Sequence, residues 1–568
     1  MAARRPRGVA LRGAALRAAA LPEAAAVAAL LLLALPLLST SAAASAIRFR
    51  RAAADWGVDF RHHNAATGRR YMVETMVGGV VVFDYDGDGD EDLFFVDGGA
   101  LPGYTGEPAR SRLFRNEGGG RFADATARSR IVVNGYGAGA VAGDVDGDGD
   151  LDLYVTELGP NQLFRNDGDG GFTDVTAAAG VGDPAWSAGA ALADVDRDGD
   201  LDLYVANYAD FTPAKHKDCR EPNSGIVGYC KPQAYAGVAD RFYKNRGDGT
   251  FVDATAAAGL VEPSLHGLGV GFFDFDLDGW PDLYVANDGD PNLLFHNKGD
   301  GTFEEIGMLA GAALSPAAKP EAGMGIDLDD YDGDGRFDVV VTNFDLESLA
   351  LYHNLGDGLF QDARFTAKLA EPSLLSLGFG IDFLDLDQDG DLDLLVANGH
   401  VNDVVGQMRP GAQFAQRNQV YENLGNGTFA EARDTGMDLL RVSRGLATGD
   451  LDGDGDLDAA ILATNDLAEV WENRSEMRGG SLLVDLVGNG TNTFGIGARL
   501  TATVGGRSQL REVRTETSYL SQNAMSCHFG LGAAERVERL LVRWPDGRVQ
   551  AFRDLPARQR VRLVVSER

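Results

Sequence analysis

Histidine and cysteine are scarce in this chain, with eight His and three Cys among 568 residues. Zinc sites need clustered His and Cys, and His216, beside Cys219 and Cys230, has no second pair to complete one. There is no H-E-x-x-H motif, no nucleophile elbow and no phosphate loop. Positive charge is also short: 51 Lys and Arg stand against 85 Asp and Glu, a formal net charge of −34. Such a surface repels nucleic-acid phosphates and anionic lipid. Beyond residue 46 no run is apolar enough to span a membrane.

The one long apolar run is "AAAVAALLLLALPLL" (24–38), preceded by Arg4, Arg5, Arg7, Arg12 and Arg17 and followed by small residues ending at Ala46. That order predicts an export signal over 1–46 and an extracytoplasmic chain, periplasmic or secreted. An uncleaved anchor is the alternative. Cys219 and Cys230 bracket "REPNSGIVGY", a spacing that suits a local disulfide in an oxidising compartment. Cys527 is left over as a buried small apolar residue.

What the chain has in excess is aspartate in register. In "DVDGDGDLDLYV" carboxylates stand at 144, 146, 148, 150 and 152, where bare charges repel at short range. Counted from Asp144, positions 1, 3, 5 and 9 are Asp and position 6 is Gly, the front of a calcium loop whose position 7 donates a backbone carbonyl. Seven such sets occur. They are Asp84, Asp86, Asp88, Asp92; Asp144, Asp146, Asp148, Asp152; Asp194, Asp196, Asp198, Asp202; and Asp274, Asp276, Asp278, Asp282. The rest are Asp330, Asp332, Asp334, Asp338; Asp385, Asp387, Asp389, Asp393; and Asp450, Asp452, Asp454, Asp458. Position 7 varies (Trp280, Arg336), as a backbone ligand allows. Position 12 is Phe, Val or Ile rather than the Glu of a helical calcium hand, so each loop joins two strands. A solvated acidic run would not hold this register seven times. About seven calcium ions are expected.

Each loop is followed by a strand, a Gly-rich hairpin and another strand, as in "NLLFHNKGDGTFEEIG" (292–307). Four antiparallel strands repeated seven times predict an all-β, seven-bladed β-propeller with calcium loops over 47–475. The seventh unit lacks its last strand, and "IRFRRAAADWGVDF" (47–60) resembles the missing piece. Strand alternation puts all the calcium loops on one face. The insertions 208–239 and 399–417 fall on the other, the second carrying His400, Asn402 and Asp403. A polar residue ends each second strand from the second unit on: Glu157, Asn207, Asn287, Asn343, Asn398 and Asn465. Turn chemistry or a ligand-facing ring would each explain that. His62 and His63 read as surface residues. From 476 to 568 the acidity ends and alternating strands predict a small C-terminal β-sandwich-like domain.

At these residues a resemblance becomes specific. The D-x-D-x-D-G-x-x-D loops resemble the FG-GAP/VCBS repeats of integrin α-chain propellers. The stretch "GIGARLTATVGGRSQLREVRTETSYLSQNAMSCHFGLG" with "VERLLVRWPDG" (495–547) resembles the ASPIC/UnbV domain. Together they are similar to the secreted cartilage acidic protein family, whose bacterial members are exported. "NAMSCHFGLG" departs from the family's acidic and basic residues before His528. The resemblance implies calcium binding and an extracytoplasmic place, but no settled activity. The reading is a non-enzymatic binding or adhesion module for an unknown protein or glycan ligand. The alternative is an enzyme or accessory protein of a biosynthetic, enediyne-like pathway, by analogy with a namesake.

Overall fold

The computed structural model describes residues 46–566 except 108, 222–224, 262 and 489. The expected export signal lies, up to residue 45, outside the described residues. From Ser45 onward the chain forms one compact unit.

Its building block is best seen over 267–305. Gly267–Phe273, Asp282–Asn287, Leu293–Asn297 and Phe303–Glu305 pair antiparallel in chain order. The first two strands are buried on both faces and only the short outer strand shows side chains to solvent. Phe, Tyr, Leu and Val fill the space between sheets, where β-branched and aromatic side chains pack well. The same four-strand order recurs in sheets spanning 80–124, 136–174, 187–253, 267–305, 326–362 and 378–432, hereafter sheets 1 to 6. Sheet 7 comprises Ser443–Gly449, Asp458–Ala463 and Glu469–Asn473 and takes its fourth strand from the other end of the chain. There Phe49–Arg51 pairs antiparallel with Glu469–Asn473, Phe49 opposite Asn473.

The first strand of each sheet lies against that of the next, and Ser443–Gly449 touches the first strands of both sheet 6 and sheet 1. Small residues permit this. A Cβ on Gly445 would lie 2.4 Å from the Gly78 carbonyl oxygen, and one on Gly189 2.4 Å from that of Leu268. Such contact is open only to glycine.

The C-terminal part departs from the expectation of a domain that simply follows. Two sheets, Cys527–Gly530/Ser481–Val487/Gln559–Val564 and Arg507–Glu512/Arg499–Val504/Arg536–Arg543/Val549–Pro556, share a core of Leu482, Val484, Leu500, Val537, Val542 and Trp544. Between them, residues 513–524 leave this core and thread among the first strands of sheets 1 to 7. Val81 pairs parallel with Gln522, extending sheet 1. Ala142 N–H donates to Gln522 Oε1 (2.7 Å), Leu192 N–H to Thr515 Oγ1 (2.9 Å), Ile381 N–H to Ser518 Oγ (3.0 Å) and Thr448 N–H to Asn523 Oδ1 (2.9 Å). Ile326 and Ser518 exchange backbone hydrogen bonds, and Tyr519 Oη donates to the Met76 carbonyl. This segment satisfies inner-strand groups that would otherwise be buried without partners.

The C-terminal sheets and their loops also cover the aspartate-loop face. Thr493 Oγ1 donates to Asp144 (2.5 Å), Arg499 pairs with Asp274 (2.6 Å), Arg560 with Glu91 (2.7 Å), and Ser481 Oγ donates to the Gly455 carbonyl. On the opposite face the 208–239 insertion carries a Cys219–Cys230 disulfide. Phe211, Cys230 and Tyr235 pack there with Tyr71, Trp186 and Tyr208.

Candidate metal centres

Each aspartate loop is built the same way. Position 6 is a glycine with φ between +86° and +98° in all seven loops, the left-handed region that disfavours any Cβ. Its N–H donates to Oδ2 of the position 1 aspartate: Gly89 to Asp84, Gly149 to Asp144, Gly199 to Asp194, Gly279 to Asp274, Gly335 to Asp330, Gly390 to Asp385 and Gly455 to Asp450. The position 9 aspartate opens the second strand and is fully buried, as with Asp202, Asp338 and Asp458. One of its oxygens accepts a backbone N–H from the third strand in every sheet, at 2.7–2.8 Å. The loop thereby folds its carboxylates inward. Ligand atoms of Asp84, Asp86 and Asp92 lie within 4.8 Å of one another, as do those of Asp144, Asp146 and Asp152 and of Asp194, Asp196 and Asp198.

The donor set fits a hard divalent cation. Buried oxygens of Asp86, Asp146, Asp194, Asp196, Asp202 and Asp274 have no hydrogen-bond partner among the described residues. An unpaired buried carboxylate is costly, and the titrations reflect it. Burial, with like charge from Asp86 and Asp84, pushes Asp92 up to about 9. Burial likewise lifts Asp152 and Asp202 to about 8, and Asp385, beside Asp389, to about 8. In sheets 1 to 3 the clustered ligand atoms are all carboxylate oxygens, a set that matches calcium better than zinc or copper, whereas His296 lies with Asp276 and Asp278, and His353 with Asp332 and Asp338.

The residue that ties loop to neighbour was not read from the sequence. It is the asparagine closing each third strand: Asn116, Asn166, Asn245, Asn297, Asn354, Asn423 and Asn473. Its side-chain Oδ1 accepts an N–H two residues on in the hairpin. Its Nδ2 donates at 2.8–3.0 Å to the position 2 carbonyl of the preceding sheet's aspartate loop. For Asn116 the acceptor is Leu451 of sheet 7; for Asn473 it is Leu386 of sheet 6.

Family comparison agrees with this repetition. The FG-GAP-like repeat model matches residues 84–155, 144–205, 234–285, 274–341, 330–396 and 402–461, together more than half of the chain. The chain belongs to the FG-GAP-like repeat family. A second model, ASPIC and UnbV, matches 488–568. Cartilage acidic protein 1 of Xenopus tropicalis is 29% identical over 275 residues, 47% of this chain and 40% of the relative. That of Mus musculus is 28% identical over 307 residues, 52% of this chain and 44% of the relative. The chain thus spans less than half the length of these curated relatives. Among solved structures, an Agrocybe aegerita lectin described for recognition of non-reducing terminal N-acetylglucosamine aligns at TM-score 0.36 and 18% identity, over 69% of this chain and 87% of the lectin.

Elsewhere in these FG-GAP-like repeats the polar side chains are committed to structure. At the ends of the second strands Asn207, Asn287, Asn343 and Asn398 donate to local carbonyls of Ala239, Pro291, Ser348 and Arg417, the turn chemistry of the two readings. Oδ1 of Asn287 and of Asn398 nonetheless lacks a partner among the described residues. Glu157 is a buried carboxyl with only the Gly135 N–H beside it, and burial pushes it up to about 7 from 4.5. A carboxyl raised this way stabilises the fold below about pH 4.5 and loses that contribution as pH climbs through about 7. Glu157→Gln is therefore expected to gain about 2–3 kcal/mol at pH 8 and almost nothing at pH 4, read by denaturant unfolding at both.

Three of the histidines singled out in the sequence are buried. His62, expected at the surface, is fully buried, and burial with His63 and Arg444 nearby lowers it to about 3. Its backbone N–H donates to the Asp466 carbonyl and its Nδ1 accepts the Asn465 N–H, contacts with a segment 403 residues away that draw it inside. His400 is buried, accepts the Asn402 N–H on Nδ1 and is lowered by burial to about 4. His528 is buried against the loop face and lowered by burial to about 3. Asp403 pairs with Arg70.

Proposed function

We propose that the chain is an exported, calcium-stabilised, seven-bladed β-propeller (47–475), capped on its loop face by its own C-terminal domain (476–568) and acting as a non-enzymatic binding or adhesion module. The observation that carries this reading is the sevenfold recurrence of the inward-folded aspartate loop, with buried ligand oxygens in the loops of sheets 1 to 4 that no described protein group satisfies. Calcium would be held by the position 1, 3, 5 and 9 aspartates with a backbone carbonyl at position 7, and would supply fixed positive charge rather than chemistry. Sheet 7, built from both ends of the chain, supports a ring held shut. The disulfide supports an oxidising, extracytoplasmic compartment. No helix among the described residues is long and apolar enough to cross a membrane.

The partner is a protein or glycan, and its contact is assigned to the insertion face. The loop face is occupied by the C-terminal sheets, whereas 208–239 and 399–417 project from a rigid scaffold, where binding residues concentrate. Within the first insertion the disulfide lowers the cost of ordering on binding. Replacing 212–236 by a Gly-Ser linker removes Cys230 and Tyr235 from their buried cluster, so folding and calcium binding are checked first, and the folded variant is expected to lose capture of the partner retained by the full chain. Undiminished capture would place the binding surface elsewhere.

A further inference from the structure

One strand position faces every loop and changes character around the repeats. It is the residue just before the clasping asparagine on each third strand: Arg115, Arg165, Lys244, His296, His353, Glu422 and Glu472 in sheets 1 to 7. In sheet 1, Arg115 Nε lies 2.6 Å from Asp86 Oδ2 and its Nη2 2.9 Å from Asp88 Oδ2. These are positions 3 and 5 of the loop. In sheet 3, Lys244 pairs with Asp196 and lies 3.3 Å from Asp198, the same two positions. Arg165 differs: its ion pair is with Asp167 in the hairpin, 3.0 Å away, not with the loop of sheet 2.

Sheet 7 is the reverse case. Glu472 stands at the facing position, adds negative charge toward Asp452, and is itself held by Arg50 and Arg474. Among the described residues no basic side chain lies within 4.0 Å of Asp452 or Asp454. In sheet 6 Glu422 stands at the facing position, but Arg478, from beyond the sheet, pairs with it (2.6 Å) and with Asp387 (3.0 Å) and Asp389, again positions 3 and 5 of the loop.

We propose that a basic side chain held on positions 3 and 5, or its absence, sets metal affinity loop by loop. Arg115, Lys244 and Arg478 are built-in counter-ions that make loops 1, 3 and 6 the weak sites, and loop 7, faced by Glu472 without such a cation, is the tightest. The inference rests on the calcium reading above. Its physical content is direct: calcium affinity in oxygen sites follows the net charge of the ligand set. A guanidinium or ammonium on two of the four aspartates cancels part of that charge, and repels the incoming ion. The cation also supports the loop when metal is scarce, so sheets 1, 3 and 6 keep their shape at calcium levels that leave their loops empty.

The test is calcium binding by the full chain, followed by isothermal titration and by metal analysis after gel filtration at low calcium. Wild type is expected to show at least two affinity classes. Arg115→Gln and Lys244→Gln should each move one ion from the weak to the tight class, with roughly tenfold tighter binding. Glu472→Gln should weaken one tight site about tenfold, while Arg115→Lys keeps the wild-type pattern and shows that the effect is charge. Equal classes in wild type, or unchanged occupancy in both the Arg115 and Lys244 variants, overturns the proposal while leaving calcium binding standing. A wild-type chain that holds no calcium overturns the reading on which it rests, and this inference with it.

Discussion

Excess chelator is expected to lower the melting temperature by about 10 °C relative to the same protein in millimolar calcium. The size follows from linkage. A site with a dissociation constant near 10⁻⁴ M, typical of extracellular modules, gains about 1.4 kcal/mol at a tenfold excess of ion. Seven such sites contribute on the order of 10 kcal/mol, which rivals the whole stability of a typical fold. With an unfolding entropy of about 2 cal/mol/K per residue, that loss corresponds to roughly 10 °C for a unit of this length. Proton release should accompany calcium uptake near pH 7, because Asp92 is raised to about 9 and Asp152 and Asp202 to about 8 in the metal-free fold. Affinity should therefore rise as pH increases through this range. Calorimetry in buffers of different ionisation enthalpy would count the protons. A melting temperature indifferent to chelator would remove the structural role assigned to the ions.

Replacing Asn297 by alanine is expected to cost about 3–5 kcal/mol, unusually large for a polar residue outside the catalytic kind of site. Asn297 is fully buried. Its Nδ2 donates to the carbonyls of Val195 (2.9 Å) and Pro281 (3.0 Å), and its Oδ1 accepts the Gly299 N–H (3.0 Å). Alanine removes the partner of one buried and two part-buried backbone groups, at about 1–3 kcal/mol for a buried one and less where water reaches. Asn473→Ala should behave alike, since Asn473 clasps sheet 7 to sheet 6 through Leu386. Denaturant unfolding of both variants in calcium is the measurement. Losses below about 1 kcal/mol would mean that water replaces the amide and that the clasp is dispensable.

The aspartate loops were legible in the sequence because every part of the signal is local: four carboxylates, a glycine and a following apolar strand within twelve residues. The same holds for the missing outer strand of the seventh unit, since "IRFRRAAADW" carries strand and turn residues of its own. The asparagine clasp was on view in "LFRN" and "LFHN" but not readable, because its acceptor lies on another sheet, 335 residues away for Asn116. Residues 513–524 were hidden for a related reason. "VRTETSYLSQN" alternates like any strand, and nothing in that pattern tells that Thr515, Ser518, Gln522 and Asn523 answer N–H groups of four different sheets. Charge facing a loop from the third strand was equally opaque, since Arg115 and Glu472 both look like solvent-side residues on paper.

Threading the C-terminal segment through the sheets also dictates how the molecule can be made. Val80 N–H donates to Ser521 Oγ across 441 residues of sequence, and Arg48 N–H to Ser475 Oγ across 427. Neither sheet 1 nor sheet 7 can reach its final form before the segments that complete it, around residues 521 and 475, have been made. Contacts of such long range are slow to form, because chain-closure entropy is spent before they reward it. A nascent chain therefore stays pliable over these sheets until residue 521 has been made. For the exported, calcium-binding chain proposed above, so late a closure would place the last folding step after translocation, where calcium is plentiful.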